Sequence, residues 1–315
     1  MLWKSRDFDL TDSLNQTIWT KSPKLQRGLQ SPEDLLKPGS VGSQQAMLEE
    51  DPELNCTRST VLPWVPDLVG TSFKDGGVLI VGSSYPGLIE EYSGGTLTLP
   101  LRYYLFAAGH AEGVSIFQQQ FLRQVVDPDQ NHYGPIGALM DGVGMSSSQI
   151  ALTNLCLNSV VQRKVVNGRR QDSGKQPCKR RAEAFCLYSE HPTVAGWHWQ
   201  RIQENTSGVI LALGHLAEHG LIRLFQQKGA TVSCGYFVLP PSLDPSPSRW
   251  VDRYASLERK LSWWLAAEAW WTITLGDRTW FILPIYHPVN HLQYDPSYAR
   301  TIEVLKKLLD SAGFN

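Results

Sequence analysis

The sequence is organised around Val78-Leu79-Ile80-Val81-Gly82-Ser83-Ser84-Tyr85-Pro86-Gly87. Its first four residues form an unbroken, largely β-branched apolar run, which is typical of a strand buried on both faces of a parallel sheet. Gly82, Pro86 and Gly87 then allow a sharp turn and a close approach of the backbone to a ligand. Because ligands of open α/β sheets bind at the carboxyl ends of the strands, we expect the chemistry at this loop.

Three further apolar runs, at residues 149–155, 208–214 and 280–285, have the same strand-like character. Helical patterns lie between the runs or follow the last of them, at residues 100–108, 115–126, 216–227, 253–272 and 296–312. Alternating strands and helices indicate βαβ units and a parallel sheet. We therefore predict an α/β fold with three layers, α/β/α, around a central, mainly parallel four-stranded sheet.

The chain of 315 residues divides into an N-terminal extension, 1–71, and an α/β/α domain, 72–315. The extension is predicted to be partly irregular, because proline, glycine and charged residues recur in it. The domain carries an insertion at about 230–279 that is rich in tryptophan (Trp263, Trp264, Trp270 and Trp271). Their helical spacing favours packing between helices over stacking on nucleobases.

The formal net charge of −1 means that any nucleic-acid binding must depend on a local basic surface. Residues 158–181 supply one, with eight lysines and arginines. Phosphate contacts and a solvated surface loop are both open interpretations of this segment. No apolar run is long enough to cross a membrane, and no signal peptide is recognisable at Met1 to Leu10. Five cysteines are an odd and sparse set, so we expect a cytoplasmic protein without membrane contact.

Each strand-like run ends in a distinctive group of residues. Taken singly, an asparagine at a strand end usually caps a turn, and a histidine before proline usually belongs to a surface loop. Here four such groups occur in order: Gly82-Ser83-Ser84-Tyr85-Pro86-Gly87, Thr153-Asn154-Leu155-Cys156-Leu157-Asn158, Leu213-Gly214-His215, and Tyr286-His287-Pro288-Val289-Asn290-His291-Leu292.

In this order the groups resemble the motifs of the uracil-DNA glycosylase superfamily. That family has a water-positioning loop of the type Gly-x-x-Pro, a strand ending in a base-reading asparagine, a "VI-ALG" strand and a final His-Pro loop. The segments "LTNL", "VILALG" and "HPVNHL" are most similar to the branch that processes several damaged pyrimidines. The resemblance covers residue 77 to the C-terminus outside the insertion. It implies a monofunctional DNA N-glycosylase, a hydrolase, that releases a modified or damaged pyrimidine.

The resemblance also implies roles for single residues. His287 is similar to the family's histidine that donates to the pyrimidine O2 as negative charge develops there. Asn154 is similar to the asparagine that reads the pyrimidine edge, and its amide offers both a donor and an acceptor. Leu292 falls where the family places an apolar wedge that replaces the flipped base. Phe106 or Tyr104 is expected to stack on the base. Gly82, Ser83, Pro86 and Gly87 belong to the binding loop.

Two departures from the family bear on chemistry and substrate. The aspartate or asparagine that positions water is replaced by Tyr85, or by Ser84 if the loop is one residue longer, and neither is a good base near neutral pH. We therefore expect a displaced carboxylate, with Glu91 favoured over three others (Glu90, Asp127 and Asp129) and a solvated surface role equally open. Gly87 replaces a bulky tyrosine, which predicts a pocket open to 5-substituents of the base.

No cofactor or metal is expected. One branch of the family binds an iron–sulfur cluster through four cysteines, but here only Cys56 precedes the first strand, and Cys178 and Cys186 have a poor chelating spacing. No lysine nucleophile lies near the loops, so lyase activity is not expected. The expected partner is duplex or single-stranded DNA, bound by a monomer, in repair or in defence against foreign DNA. The alternatives are a catalytically impaired DNA-binding relative and a protein that binds nucleosides or sugars.

Overall fold

The computed structural model describes residues 4–21, 30–32, 34, 64–84, 106–126, 134–156, 164–166, 169–171, 192–236, 268–286 and 298–314. Within these ranges the strands are β1 Leu68–Val69, β2 Val78–Ser84, β3 Ile150–Cys156, β4 Lys164–Val166, β5 Arg169–Gln171, β6 Val209–Leu213, β7 Thr231–Tyr236, β8 Ala269–Leu275 and β9 Arg278–Ile285. The helices are α1 Ser13–Lys21, α2 Gly113–Val126, α3 Gly134–Gly142, α4 Pro192–Glu204, α5 His215–Gln227 and α6 Ala299–Ser311. Short 3-10 turns occupy Ser5–Asp7, Phe73–Asp75 and Ser147–Gln149.

The main sheet has seven strands in the order β1-β3-β2-β6-β9-β8-β7. The four predicted strands, β2, β3, β6 and β9, lie together at its centre and are mutually parallel. The prediction of a four-stranded sheet is nevertheless wrong, because β1 pairs antiparallel at one end and β8 and β7 extend the other end antiparallel. The fold is therefore α/β with a mixed sheet whose central strands are parallel.

Alternate residues of the central strands enter two separate apolar cores, one on each face of the sheet. On β2, Leu79 and Val81 pack with residues of α1, α4 and α5, on what we call the α4–α5 face. Val78 and Ile80 pack with residues of α2, α3 and α6, on the α3–α6 face. All four side chains are at most 1% exposed, which explains why the run reads as continuously apolar.

Within the insertion, the structure differs from the predicted helix. The helix predicted at 253–272 is wrong at its end, because Ala269–Leu275 form strand β8 between β7 and β9. Gly276, with φ +58°, and Asp277 make the tight turn into β9. Trp271 is a core residue, as the packing interpretation expects, but it lies on a strand. Residues 253–267, with Trp263 and Trp264, lie outside the described residues.

The segment before residue 72 contributes to both the sheet and the core. β1 pairs with β3 through Leu68 and Val69, and Phe8 forms an isolated bridge with Gly70. Helix α1 packs Leu14 and Ile18 into the core of the α4–α5 face. Residues 4–21 and 64–71 of the predicted extension are thus held to the body by backbone pairing and apolar contacts.

A buried ion cluster fastens this segment. Arg201 of α4 has a fully buried side chain and contacts Asp12 at 2.6 Å, Asp67 at 2.9 Å and Glu204 at 2.6 Å. Asn15 adds amide hydrogen bonds to the backbone of Asp67 in both directions, at 2.9 and 3.0 Å. Burial raises the pKa of Asp67 to about 7, although the Arg201 charge opposes this shift. One guanidinium therefore pairs with the two buried carboxylates of Asp12 and Asp67 and with the partly exposed carboxylate of Glu204.

Replacing Arg201 tests this clamp. Arg201→Met should lower the free energy of unfolding by about 3–5 kcal/mol, because it leaves buried carboxylates without their cation. The matched control is Lys74→Met, which removes a half-exposed lysine 2.7 Å from Glu204 and should cost less than about 1 kcal/mol. Urea denaturation measures both values, and equal losses in the two variants would contradict the clamp.

Candidate functional site

The parallel register brings four strand ends to one edge of the sheet. Ser84 of β2 lies opposite Cys156 of β3, and Leu213 of β6 lies opposite Ile285 of β9. After β2 the next strand of the main sheet is β3, on one side, and after β6 it is β7, which lies beyond β9 and β8 on the other side. The connections therefore diverge between β2 and β6, which is where open α/β sheets bind ligands. All four predicted motifs begin at this carboxyl edge.

Gly82 and Asn154 are close neighbours at this edge. They are partners in the β2–β3 register, and a Cβ atom added to Gly82 would collide with Oδ1 of Asn154. Asn154 follows Ile150 and Leu152 at alternate positions, so it belongs to the α3–α6 face. Any larger residue at position 82 would therefore have to displace the amide of the neighbouring asparagine, a reason for glycine that the β2 sequence alone does not reveal.

The amide of Asn154 is buried without full compensation. Asn154 is 5% exposed, and no group in the described part of the chain pairs with its Nδ2 atom. An unpaired buried polar group costs about 1–3 kcal/mol, so native proteins rarely keep one without a purpose. The amide is consequently the strongest candidate for a recognition group among the predicted residues that the structure describes.

Gly214 ties the ends of β6 and β9 together. Its N–H donates to the carbonyl of Ile285 at 2.9 Å, and its φ of +83° lets β6 turn directly into α5. Tyr286, which is 9% exposed, follows Ile285. The point at which the chain leaves β9 towards His287 is thereby fixed beside the start of α5.

His198 contacts the end of β3, next to Asn154, and no sequence pattern indicated this contact. It lies on α4, and its Nε2 is 3.0 Å from the carbonyl of Leu155, the residue after Asn154. Burial lowers the pKa of His198 to about 4, so the ring is neutral at pH 7 and Nε2–H donates to this carbonyl. Its place between Trp197 and Trp199 in a helix gave no sequence signal for contact with a strand end.

Other predicted residues divide into two groups. Ser83 and Ser84 end β2 at the carboxyl edge, and Phe106 lies in segment 106–110, where its ring centroid is 4.0 Å from that of His110. The remaining predicted residues lie outside the described residues: Tyr85, Pro86, Gly87, Glu91, His287 and Leu292, with the alternatives Tyr104, Glu90, Asp127 and Asp129.

Among the described residues, no group of three or more metal-ligating side chains is present, and no helix there has the length and apolarity to cross a membrane. Burial raises the pKa of the Cys234 thiol to about 12, which makes this cysteine a poor nucleophile at neutral pH. No protein-family model matches the sequence, and no curated protein matches it.

Substitution of Gly82 tests its contact with Asn154. Gly82→Ala should lower the free energy of unfolding by about 1–3 kcal/mol, because the methyl group must displace the amide. Gly196→Ala is the matched control: its Cβ meets nothing within 4 Å on helix α4, so it should stabilise the protein by up to about 1 kcal/mol. A neutral Gly82→Ala in chemical denaturation would contradict the contact.

His198 also predicts a pH dependence. The pKa of His198 is about 4 in the folded state and about 6.5 in the unfolded state, so below pH 6.5 the unfolded chain binds a proton that the folded protein does not. The stabilising contribution of neutral His198 is therefore complete above about pH 6.5 and is lost as the pH falls towards 4. His198→Gln keeps a donor but does not titrate. The stability advantage of the wild type over this variant should therefore shrink by about 3 kcal/mol between pH 6.5 and pH 4. Asp67 titrates in both proteins and cancels, so parallel stability curves would contradict the assignment.

Proposed function

We propose that the chain is a monofunctional DNA glycosylase of the uracil-DNA glycosylase superfamily, with a three-layer α/β/α body. It hydrolyses the N-glycosidic bond of a flipped-out modified pyrimidine. The observation that supports this proposal best is the convergence of four strand ends at one edge, with the Asn154 amide beside Gly82. An extruded base needs polar groups of this kind, because its polar edge must be matched once it has left the duplex.

Cleavage of the glycosidic bond requires a different role from each residue at the carboxyl edge. Breaking the glycosidic bond creates an oxocarbenium-like sugar and an anionic base, so a donor must be aimed at the developing charge. His287 takes this role, since it comes two residues after Ile285, whose carbonyl is anchored by Gly214. The Asn154 amide matches the Watson–Crick edge of the base, Phe106 stacks on its ring, and Leu292 fills the vacated position in the duplex.

Water delivery follows a modified scheme. Ser83 and Ser84 end β2, and Tyr85 stands where the family carries an aspartate or asparagine. Glu91, further along the same connection, supplies the carboxylate that orients water towards C1′. Gly87 leaves space beside C5 of the base, so the substrate carries a 5-substituent.

Base release from a panel of duplexes tests this function. Labelled duplexes carrying uracil, a thymine mismatch, 5-hydroxymethyluracil or a glycosylated pyrimidine are incubated with the protein and then treated with alkali, which cleaves abasic sites. Product should form from at least one 5-substituted base and exceed that from uracil. His287→Ala should reduce the rate about 10²-fold or more, the usual effect of losing a donor to a developing anion. Glu91→Gln should also reduce it severely.

Lys228→Ala is the control, because this lysine caps the end of α5 that is remote from Gly214. It should leave the rate within about twofold of the wild type, as expected for a surface substitution away from the site. Duplex binding with no base release from any substrate would favour the alternative function, a catalytically impaired DNA-binding relative. The presence of Tyr85 in place of the motif's water-positioning residue is the observation that favours this alternative. Faster release of uracil than of every bulkier base would contradict the proposed pocket.

A further inference from the structure

The basic segment that follows β3 contains a β-hairpin, where the sequence predicted a loop. β4 and β5 form a separate two-stranded antiparallel sheet with the pairs Lys164–Gln171, Val165–Arg170 and Val166–Arg169. Directly opposed residues share a face of a ribbon, so Lys164 and Arg169 occupy one face and Arg170 the other. Positive residues therefore lie at register positions on both faces.

The charge of this segment contrasts with that of the chain. Residues 163–181 hold eight lysines and arginines against the single acidic residue Asp172, whereas the whole chain has a net charge of −1. Local basic charge on a near-neutral protein is the electrostatic footprint of a polyanion-binding surface. The other described elements have no comparable run of basic residues.

The hairpin lies in the chain between two elements whose adjoining ends are at the carboxyl edge of the sheet. The preceding strand, β3, ends there at Cys156. The following helix, α4, runs from the carboxyl edge, where His198 meets Leu155, to the amino edge, where Glu204 meets Lys74. The chain therefore enters and leaves the hairpin segment from the side of the sheet that carries Gly82 and Asn154.

We propose that the β4–β5 hairpin is an arm that binds duplex DNA beside the candidate site. A two-stranded ribbon is one of the two protein elements that fit the major groove of B-DNA, and basic residues at its register positions suit the phosphates that line the groove. The choice of DNA as partner rests on the proposed function, and the arm specifies how the protein engages the duplex.

Binding of a fluorescein-labelled, unmodified duplex of about 20 base pairs, a length suited to one bound protein, tests the arm by anisotropy over a range of salt concentrations. The triple variant Lys164→Gln, Arg169→Gln and Arg170→Gln should bind at least about tenfold more weakly near 0.1 M salt. The slope of log K against log[salt] should become shallower by about 2–3. The control removes the same charge from the exposed residues Lys4, Lys228 and Lys306 and should change the slope by less than about 1.

Equal losses of duplex affinity in the two triple variants would contradict the proposed arm, because binding would then depend only on the net charge of the protein. Tighter binding of the single strand than of the duplex would also overturn it. The unmodified duplex contains no base to be released, so this result is independent of glycosylase activity. Hairpin-dependent affinity for this duplex, together with no base release from any duplex of the modified-base panel, would uphold the arm and refute the proposed enzyme.

Discussion

The parallel pairing of β2 with both β3 and β6 is the constraint on which the rest of the structure depends. It buries β2 on both faces and so requires the apolar run from Val78 to Val81. It also makes the chain cross back over the sheet between β2, β3 and β6, since parallel neighbours need crossover connections. Because β9 pairs parallel with β6 as well, the four motif-bearing loops start at one edge, and any chemistry that involves them together is confined to that edge.

Polar side chains are buried on both faces of the sheet beside β3, and they differ in how they are paired. On the α4–α5 face, Arg201 and its carboxylates pair with one another, and the cluster holds the segment before β2 in place. On the α3–α6 face, Asn154 retains an amide nitrogen without a partner among the described residues. The ion cluster stabilises the fold, and the proposed function uses the Asn154 amide for recognition.

The centre of the fold was predictable because its signal is local. Continuous apolar runs located all four parallel strands, and helical periodicity located α2, α5 and α6. β8 was mistaken for helix because its tryptophans were interpreted by spacing, although the aromatic and β-branched residues from Trp270 to Thr274 and the Gly276-Asp277 turn are hairpin signals. The contact of Arg201 with Asp12 spans 189 positions, and no local pattern encodes such a pair. No local pattern encodes the contact between His198 and Leu155 either, since the two residues lie 43 positions apart. Gly82 and Asn154, in contrast, were both identified from the motifs in which they stand.

A crystal structure of the protein bound to a duplex carrying 2′-fluoro-5-hydroxymethyl-deoxyuridine would test the central claim most directly, because the fluorine destabilises the oxocarbenium ion and preserves the bound substrate. The expected result is an extruded pyrimidine whose edge meets the Asn154 amide, with the backbone of Ser83 and Ser84 alongside and His287 within hydrogen-bond distance of O2. A base that stays stacked in the duplex, or a His287 directed away from the extruded base and Asn154, would contradict the proposed function.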